Sequence, residues 1–98
     1  MKINALLLNT RDNVVTCVTE VKAGEEVVYR QDDSLIRFTA REGIPYCHKV
    51  ALSDLETGDE VIKYGETIGR TLKPIAKGTL VNENNIYSVP RDYDTEMI

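Results

Sequence analysis

Apolar residues fall in short runs along this chain, and in several runs they alternate with polar residues. A period of two is typical of a half-buried β-strand, whereas an amphipathic helix repeats its apolar positions every three or four residues over a longer stretch. The runs are also rich in β-branched and aromatic residues, which favour strands. We therefore predict strands in the segments NALLLN, VVTCVTEV, EVVYR, SLIRFTA, IPYCHKVAL, EVIKY and TLVNENNIYSV.

One short segment departs from the strand pattern. In ALSDLETG, residues 51–58, Ser53 is suited to cap a helical turn and Gly58 to close it. No segment carries a long amphipathic helical stripe. The predicted fold class is therefore a compact all-β domain of short strands and tight turns, barrel-like or clip-like, with at most this single helical turn.

A local pattern of the form Φ-x-x-G-x-x-V, where Φ is apolar, recurs three times. Its copies are VKAGEEVV at 21–28, LETGDEVI at 55–62 and IAKGTLVN at 75–82. Each copy predicts a chain reversal in which glycine takes a positive φ, followed by entry into a strand at the valine. The spacing between copies is unequal, so the pattern indicates a shared type of turn and not a solenoid repeat.

Composition narrows the possible functions. A chain of 98 residues makes one small domain with little room for a deep active site, so we expect it to be inactive alone. The net charge is −4 and the basic residues are scattered, which disfavours nucleic acid and anionic membranes as partners. No targeting segment is visible, and Cys17 and Cys47 are expected to be reduced thiols of a cytoplasmic protein.

The only histidine, His48, lies in the stretch GIPYCHKVAL between Cys47 and Lys49. In an extended strand Cys47 and His48 point to opposite faces, so they form neither a metal site nor a catalytic pair unless the backbone turns there. A self-contained zinc site is excluded because no second histidine exists. His48 is thus either a hydrogen-bonded structural residue or a general acid or base, and Lys49 either a solvated residue or the partner of a substrate carboxylate.

Two longer stretches resemble a known family. PYCHKVALSDLETGDEVIKYGETIGRTLKPIAKGTLV is similar to the SAF domain at the amino end of altronate and galactarate dehydratases, with its G-H-K-x-A-L-x-D-I-x-x-G-x-x-V-I-K-Y-G-x-x-I-G pattern. DNVVTCVTEVKAGEEV is similar to that family's D-N-V-A-x-A-L-x-x-L-x-x-G. The resemblance covers about residues 10–86 and implies a β-clip fold. The small subunit of sulfolactate sulfo-lyase shares the same motif, so the resemblance leaves the substrate open.

The family reaction that this resemblance implies is a β-elimination from a polyhydroxy acid, completed by a large catalytic subunit or domain. A divalent metal, iron, is implied in the assembled enzyme, with no metal ligand expected on this chain alone. His48 matches the histidine of the family's His-Lys pair and is the candidate catalytic residue. Lys49 and Arg70 are candidates for binding the substrate carboxylate, while Asp12 and Asn13 match the early Asp-Asn and are suited to closing a turn.

The sequence departs from the family pattern at two places. Cys47 replaces the glycine that commonly precedes the histidine. Near the end, the family's V-H-x-H-N becomes Val81–Asn85, so that Asn82 and Asn84 stand in place of two histidines. Asparagine keeps a hydrogen bond to a sugar hydroxyl but is a poor ligand for a transition metal. We include Asn82 and Asn84 among the candidate substrate-binding residues.

Three functions follow from these observations. The first is the small subunit or amino-terminal domain of a sugar-acid dehydratase, with a large catalytic partner and a sugar acid as substrate. The second is the small subunit of a sulfolactate sulfo-lyase, and the third is a noncatalytic SAF module that binds a carbohydrate or protein. We divide the chain into a domain at 1–88 and a tail or linker at 89–98, and a homo-oligomer is a further partner to test, because small strand-rich domains often pair through their edges.

Overall fold

The computed structural model describes residues 2–88, which form nine β-strands and no helix. The strands are β1 (Ala5–Leu6), β2 (Val14–Cys17), β3 (Glu26–Gln31), β4 (Ser34–Thr39), β5 (Lys49–Ala51), β6 (Glu60–Lys63), β7 (Glu66–Thr71), β8 (Leu80–Val81) and β9 (Ile86–Ser88). They pair antiparallel in three small sheets, of order β1-β2-β5-β8, β3-β4 and β6-β7-β9. The all-β prediction is confirmed.

The described residues contain no helix that could cross a membrane. Across residues 2–88 there is no helix with the length and apolar character needed to span a bilayer. The predicted tail or linker, residues 89–98, lies outside the described residues.

Four turns of one kind organise the chain, although the glycine pattern predicts only three. Gly24, Gly58 and Gly78 have φ of 88°, 86° and 88°, and the fourth turn runs from Ile44 to Cys47, where Cys47 has φ of 66°. In all four, the amide of the residue after this position donates to the carbonyl three residues earlier, as from His48 to Pro45. The sequence hides the fourth turn because cysteine occupies the place of glycine.

The four turns pair two by two. The apolar residue that opens each turn forms a bridge with its counterpart, Val21 with Ile44 and Leu55 with Ile75. Each pair of turns brackets a hairpin, β3–β4 in the first half and β6–β7 in the second. The chain is therefore two similar halves, each running strand, turn, hairpin, turn, strand, with β5 ending the first half and beginning the second.

Each half has its own apolar cluster. The larger cluster contains Ala5, Val15, Cys17, Val21, Val27, Tyr29, Phe38, Ala40, Ile44 and Val50. The second contains Val14, Ala51, Leu55, Val61, Ile75, Val81 and Ile86. In β5 the neighbouring Val50 and Ala51 are both fully buried but belong to different clusters. Successive strand residues point to opposite faces, so this short strand connects both cores.

Two asparagines hold the hairpins in the same way. The Asn4 side chain donates to Glu26 O and accepts from Val28 N, and the Asn13 side chain donates to Glu60 O and accepts from Ile62 N. In each case the amide side chain takes the place of a neighbouring strand, because it supplies one hydrogen-bond donor and one acceptor to the edge of the hairpin.

Next to Asn13, the buried Asp12 carboxylate accepts from the amides of Tyr64 and Gly65 at the tip of the β6–β7 hairpin. The prediction that Asp12 closes a turn matches these hydrogen bonds.

Three local predictions are wrong. Residues 51–58 form no helical turn, because Leu55 N and O both bond to Ile75 and such a bridge needs an extended backbone. The predicted strand IPYCHKVAL is reduced to Lys49–Ala51, since the turn at Cys47 also removes the simple alternation of side chains around His48. The segment TLVNENNIYSV divides into β8 and β9 around a turn at 82–85.

One strand was missed altogether. β7, with the sequence ETIGRT, has a glycine in its interior and few neighbouring apolar residues, so its pattern is weak. A side chain at Gly69 would meet the Tyr87 carbonyl of β9, so close approach of the two strands explains the glycine.

Candidate functional site

A cleft of 640 Å³ opens where the strands β8 and β9 leave their sheets. β8 pairs only with β5 and β9 only with β7 among the described strands, and the short turn at 82–85 joins them. The cleft is lined by Cys47, His48, Lys49, Ile68, Leu72, Val81, Asn82, Glu83, Ile86, Tyr87 and Ser88. Three of the five predicted site residues, His48, Lys49 and Asn82, therefore lie on one cavity.

His48 follows directly after the left-handed residue Cys47, and the turn exposes its ring to solvent at the cleft. Its Nδ1 lies 3.0 Å from the Tyr46 carbonyl oxygen. A carbonyl oxygen only accepts hydrogen bonds, so Nδ1 carries the hydrogen and the neutral ring keeps Nε2 as its proton acceptor. The turn thus fixes both the position and the tautomer of the imidazole.

Lys49 is the first residue of β5 and pairs with Thr16 on one side and Val81 on the other. It is half-buried, and this burial lowers the pKa of its ammonium group. Lys63 lowers the pKa further by repulsion, while Glu83 acts in the opposite direction. Within residues 2–88 no carboxylate reaches ion-pair distance of Lys49. A bound anion would therefore relieve an unfavourable environment for this charge.

The two asparagines in place of the family histidines do not share the cleft. Asn82 lines it, and its side-chain oxygen accepts from the Asn84 amide at 2.9 Å. Asn84 is exposed and lies on a smaller cavity of 210 Å³, together with Glu42 and Lys73. Asn85 closes the turn by accepting from Asn82 N and donating to Leu80 O. Of the two asparagines, only Asn82 lines the cleft together with His48.

Arg70 lies in β7 opposite Tyr87, but it is not one of the residues that line the cleft. Its guanidinium donates to Gly58 O at 3.0 Å and to the Glu60 carboxylate at 3.2 Å. Both partners belong to the second half of the chain, where the arginine fastens the Gly58 turn to the hairpin. The structure therefore gives Arg70 a structural set of contacts.

The two cysteines have different environments. Cys17 is fully buried, and burial raises the pKa of its thiol to about 11. Cys47 is exposed on the cleft, and its hydrogen bond is the main cause that raises the pKa of the neighbouring Tyr46 hydroxyl. Both cysteines are free thiols. Cys47 is thus a free thiol on the cleft. The sequence draws attention to this residue but gives it no role.

The apolar side of the cleft was missed by sequence reasoning. Ile68, Leu72, Ile86 and Tyr87 face the cleft from β7, β9 and the segment that follows β7. Leu72 and Tyr87 remain 51% and 47% exposed. Because β7 was not predicted as a strand, no sequence signal brought these residues together.

A metal site does not form within the described chain. Across residues 2–88, no three side chains of histidine, cysteine, aspartate or glutamate lie close enough to hold an ion. The cleft itself offers one imidazole, one thiol and the carboxylate of Glu83, without such a grouping. These residues do not fit a resident transition metal.

Known proteins are similar to this chain over almost its full length. The family model described as the altronate/galactarate dehydratase SAF domain matches residues 3–89. The (2R)-sulfolactate sulfo-lyase subunit alpha of Chromohalobacter salexigens is 33% identical over 89 residues, covering 88% of this chain and 95% of that subunit. The subunit of the same name from Paracoccus pantotrophus is 45% identical over 58 residues, covering 59% of this chain and 87% of that subunit.

A longer enzyme also contains a similar segment. The altronate dehydratase of Escherichia coli strain K12 is 36% identical over 94 residues, which is 96% of this chain but 17% of that enzyme. The similar domain thus occurs both as a short subunit and as the amino-terminal part of a larger polypeptide.

Proposed function

The chain belongs to the altronate/galactarate dehydratase SAF domain family, and from this membership we propose that it is the small subunit or amino-terminal domain of a sugar-acid dehydratase. The reaction is the elimination of water from a polyhydroxy acid in the cytoplasm. A large catalytic polypeptide completes the site, because a domain of this size leaves the candidate residues exposed at an open cleft. The free thiols support a reducing compartment.

The observation that carries this proposal is the placement of His48 and Lys49 on the same cleft. The family's His-Lys pair is kept here, and the turn at Cys47 presents the imidazole to solvent. An exposed histidine with a fixed tautomer beside a half-buried lysine is unusual for a purely structural pair. It fits a site that takes a proton and pairs with a carboxylate.

In the proposed step His48 Nε2 removes the proton from the carbon next to the substrate carboxylate. The electron pair of that C–H bond forms a carbon–carbon double bond, and the hydroxyl on the next carbon leaves as water by taking that proton back from the His48 imidazolium. Negative charge grows on the carboxylate as the C–H bond breaks, and the Lys49 ammonium stabilises it. We assign to Asn82, which lines the cleft, a hydrogen bond from its side-chain Nδ2 to a substrate hydroxyl, since its Oδ1 already accepts from the Asn84 amide.

The iron implied by the family has no place in this step. The described residues do not group as metal ligands, so we assign any metal to the large partner and derive nothing through it on this chain. The asparagines at positions 82 and 84 agree with this assignment, since amide side chains bind transition metals poorly.

A second candidate is the small subunit of a sulfolactate sulfo-lyase, in which sulfite leaves in place of water. The observation that favours it is similarity along nearly a whole subunit: the chain is 33% identical to the Chromohalobacter subunit over 95% of that subunit's length. The proton transfer assigned to His48 is the same in both reactions. The substrate and the leaving group distinguish them.

The test is to purify the chain with its large partner and assay elimination from altronate, galactarate and (2R)-sulfolactate, with and without added ferrous iron. His48→Ala should lower kcat by about 100-fold or more, as expected for loss of a general base, without a change in melting temperature. Lys49→Met should raise KM for the preferred acid. Lys73→Met, on an exposed lysine outside the cleft, is the matched control and should behave as wild type.

Two results would contradict the proposal. Full activity of His48→Ala would show that His48 is not the general base and would leave it a structural role. A wild-type complex that binds these acids but turns over none of them would identify the chain as a noncatalytic binding module.

A further inference from the structure

The cleft has two walls of different character. His48 and Lys49 form a polar wall, whereas Ile68, Leu72, Ile86 and Tyr87 form what we call the apolar wall. Leu72 and Tyr87 are each about half exposed, so water contacts two large apolar side chains directly beside the charged groups. A small molecule with many hydroxyls gains nothing from such a surface, because burying its polar groups there costs free energy. A protein surface does gain from it.

The point where the described chain ends supports a protein as the occupant. Ser88, at the end of β9, itself lines the cleft. In altronate dehydratase the similar segment is 17% of the enzyme and lies at its amino end, so most of that polypeptide continues beyond the position of β9. In such an enzyme the rest of the polypeptide is therefore joined to this domain on the carboxyl side of a strand that borders the cleft.

The edge of β9 provides a further contact. Among the described strands β9 pairs with β7 alone, which leaves its other edge available for hydrogen bonds from another chain. Tyr87 stands in the middle of this strand, and tyrosine is among the residues that most often anchor protein interfaces. An exposed strand edge with an aromatic side chain beside it is a common binding site for a partner protein.

We propose that the apolar wall, with Leu72 and Tyr87 as anchors, is the surface on which the large catalytic polypeptide docks, so that His48 and Lys49 face the reaction site across the interface. This inference rests on the proposed function and identifies the surface of its partner. Docking here closes the open side of the cleft and excludes water from the groups that act on the substrate. The chain then supplies one wall of the active site, and the partner supplies the other.

The experiment compares two surfaces of equal exposure. The double variant Leu72→Glu with Tyr87→Glu places charge on the apolar wall. Leu35→Glu is the matched control, because Leu35 is 49% exposed but lies on the β3–β4 hairpin and not on the cleft. Each tagged chain is produced in its native cells, purified under gentle conditions, and its bound proteins are identified and quantified by mass spectrometry.

A lyase-type or dehydratase-type polypeptide should copurify with wild type and with Leu35→Glu, and should fall at least 10-fold with the double variant. Retention of that polypeptide by a folded double variant overturns the docking surface and leaves the proposed function intact. Absence of any such polypeptide from the wild-type sample overturns both proposals.

A photo-crosslinking amino acid in place of Leu72 or Leu35 keeps the test decisive if the double variant does not fold. Crosslinks from position 72, but not from position 35, to the lyase-type polypeptide support the proposal. Crosslinks from position 72 to a second copy of this chain overturn it, because the occupant is then a homodimer partner.

Discussion

At the scale of the residue, Cys47 has a backbone conformation that side chains rarely adopt. Its φ of 66° is a conformation in which a Cβ is crowded, and the equivalent position in the other three turns is glycine. The thiol nevertheless lies on the cleft, beside the only histidine. A strained residue at a candidate site is a reason to ask what its side chain contributes.

Cys47→Gly should raise the free energy of unfolding by about 0.5 kcal/mol, because relief of the left-handed strain slightly exceeds the greater flexibility of glycine in the unfolded chain. Urea denaturation measures the change. Cys47→Ala keeps the Cβ and removes only the sulfur, so it separates strain from contacts of the thiol. A less stable glycine variant would mean that those contacts outweigh the strain.

The same residue explains one failure of sequence reasoning. A turn that is recognised by its glycine is invisible when another residue takes the left-handed position, so the segment before Lys49 was interpreted as a strand. His48 was then assigned to a strand face, whereas it follows a turn. The residue type at position 47 conceals the conformation, and the hydrogen bonds around it establish the turn.

At the scale of the element, the hairpins depend on side chains that replace backbone partners. Asn13 connects to β6 and Asn4 connects to β3 with the same pair of hydrogen bonds. The hairpin β6–β7 contributes Ile68 to the cleft, so its position matters for the site as well as for stability.

Asn13→Ala should lower the free energy of unfolding by about 1–3 kcal/mol, because it leaves a backbone donor and a backbone acceptor of β6 without their partners. Asn4→Ala should have a similar effect through β3. Asn84→Ala, at an exposed position, is the control and should change stability by less than about 0.5 kcal/mol. Chemical denaturation compares the three. Equal stability of all variants would show that water replaces the amide at no cost.

At the scale of the whole molecule, one short strand joins two cores. Val50 and Ala51 face different apolar clusters, so loss of β5 exposes both. We expect the two halves to unfold together for this reason. The cleft is lined by residues of both halves and borders β9, which pairs with β7 alone among the described strands.

Stability of the whole domain should fall as pH rises from about 9 to about 11. Burial raises the pKa of the Cys17 thiol from 9.0 to about 11, so in this range the unfolded chain ionises while the folded chain keeps its proton. Burial of Tyr29 raises the pKa of its hydroxyl and acts in the same direction. Lys49 acts in the opposite direction. Its ammonium group has a lower pKa in the folded chain than in the unfolded chain, so the unfolded chain binds more protons and this contribution to stability rises with pH.

Urea denaturation at a series of pH values between 8 and 11 measures this effect. Cys17→Ala should flatten the decline, and Lys49→Met should steepen it. A decline that is identical in wild type and Cys17→Ala would show that the buried thiol is not its source.

Much of the fold was determined by the sequence alone. Alternating apolar residues require a sheet with one buried face, and glycine at a fixed offset before a strand requires a left-handed turn; both constraints are local, so the all-β class and three turns were predictable. The family pattern also marked His48 and Lys49 before their surroundings were known. Features that depend on residues close together in the chain can be recognised from residue type and spacing.

The tertiary structure alone decided the rest. The fourth turn, strand β7 and the cleft all depend on pairs of residues distant along the chain, such as Leu55 with Ile75 and Gly69 with Ser88. The contacts of Arg70 with Gly58 and Glu60 could likewise be seen only in the structure. A single sequence records which side chains are present, but their neighbours are set by the hydrogen bonds and packing that bring separate strands together.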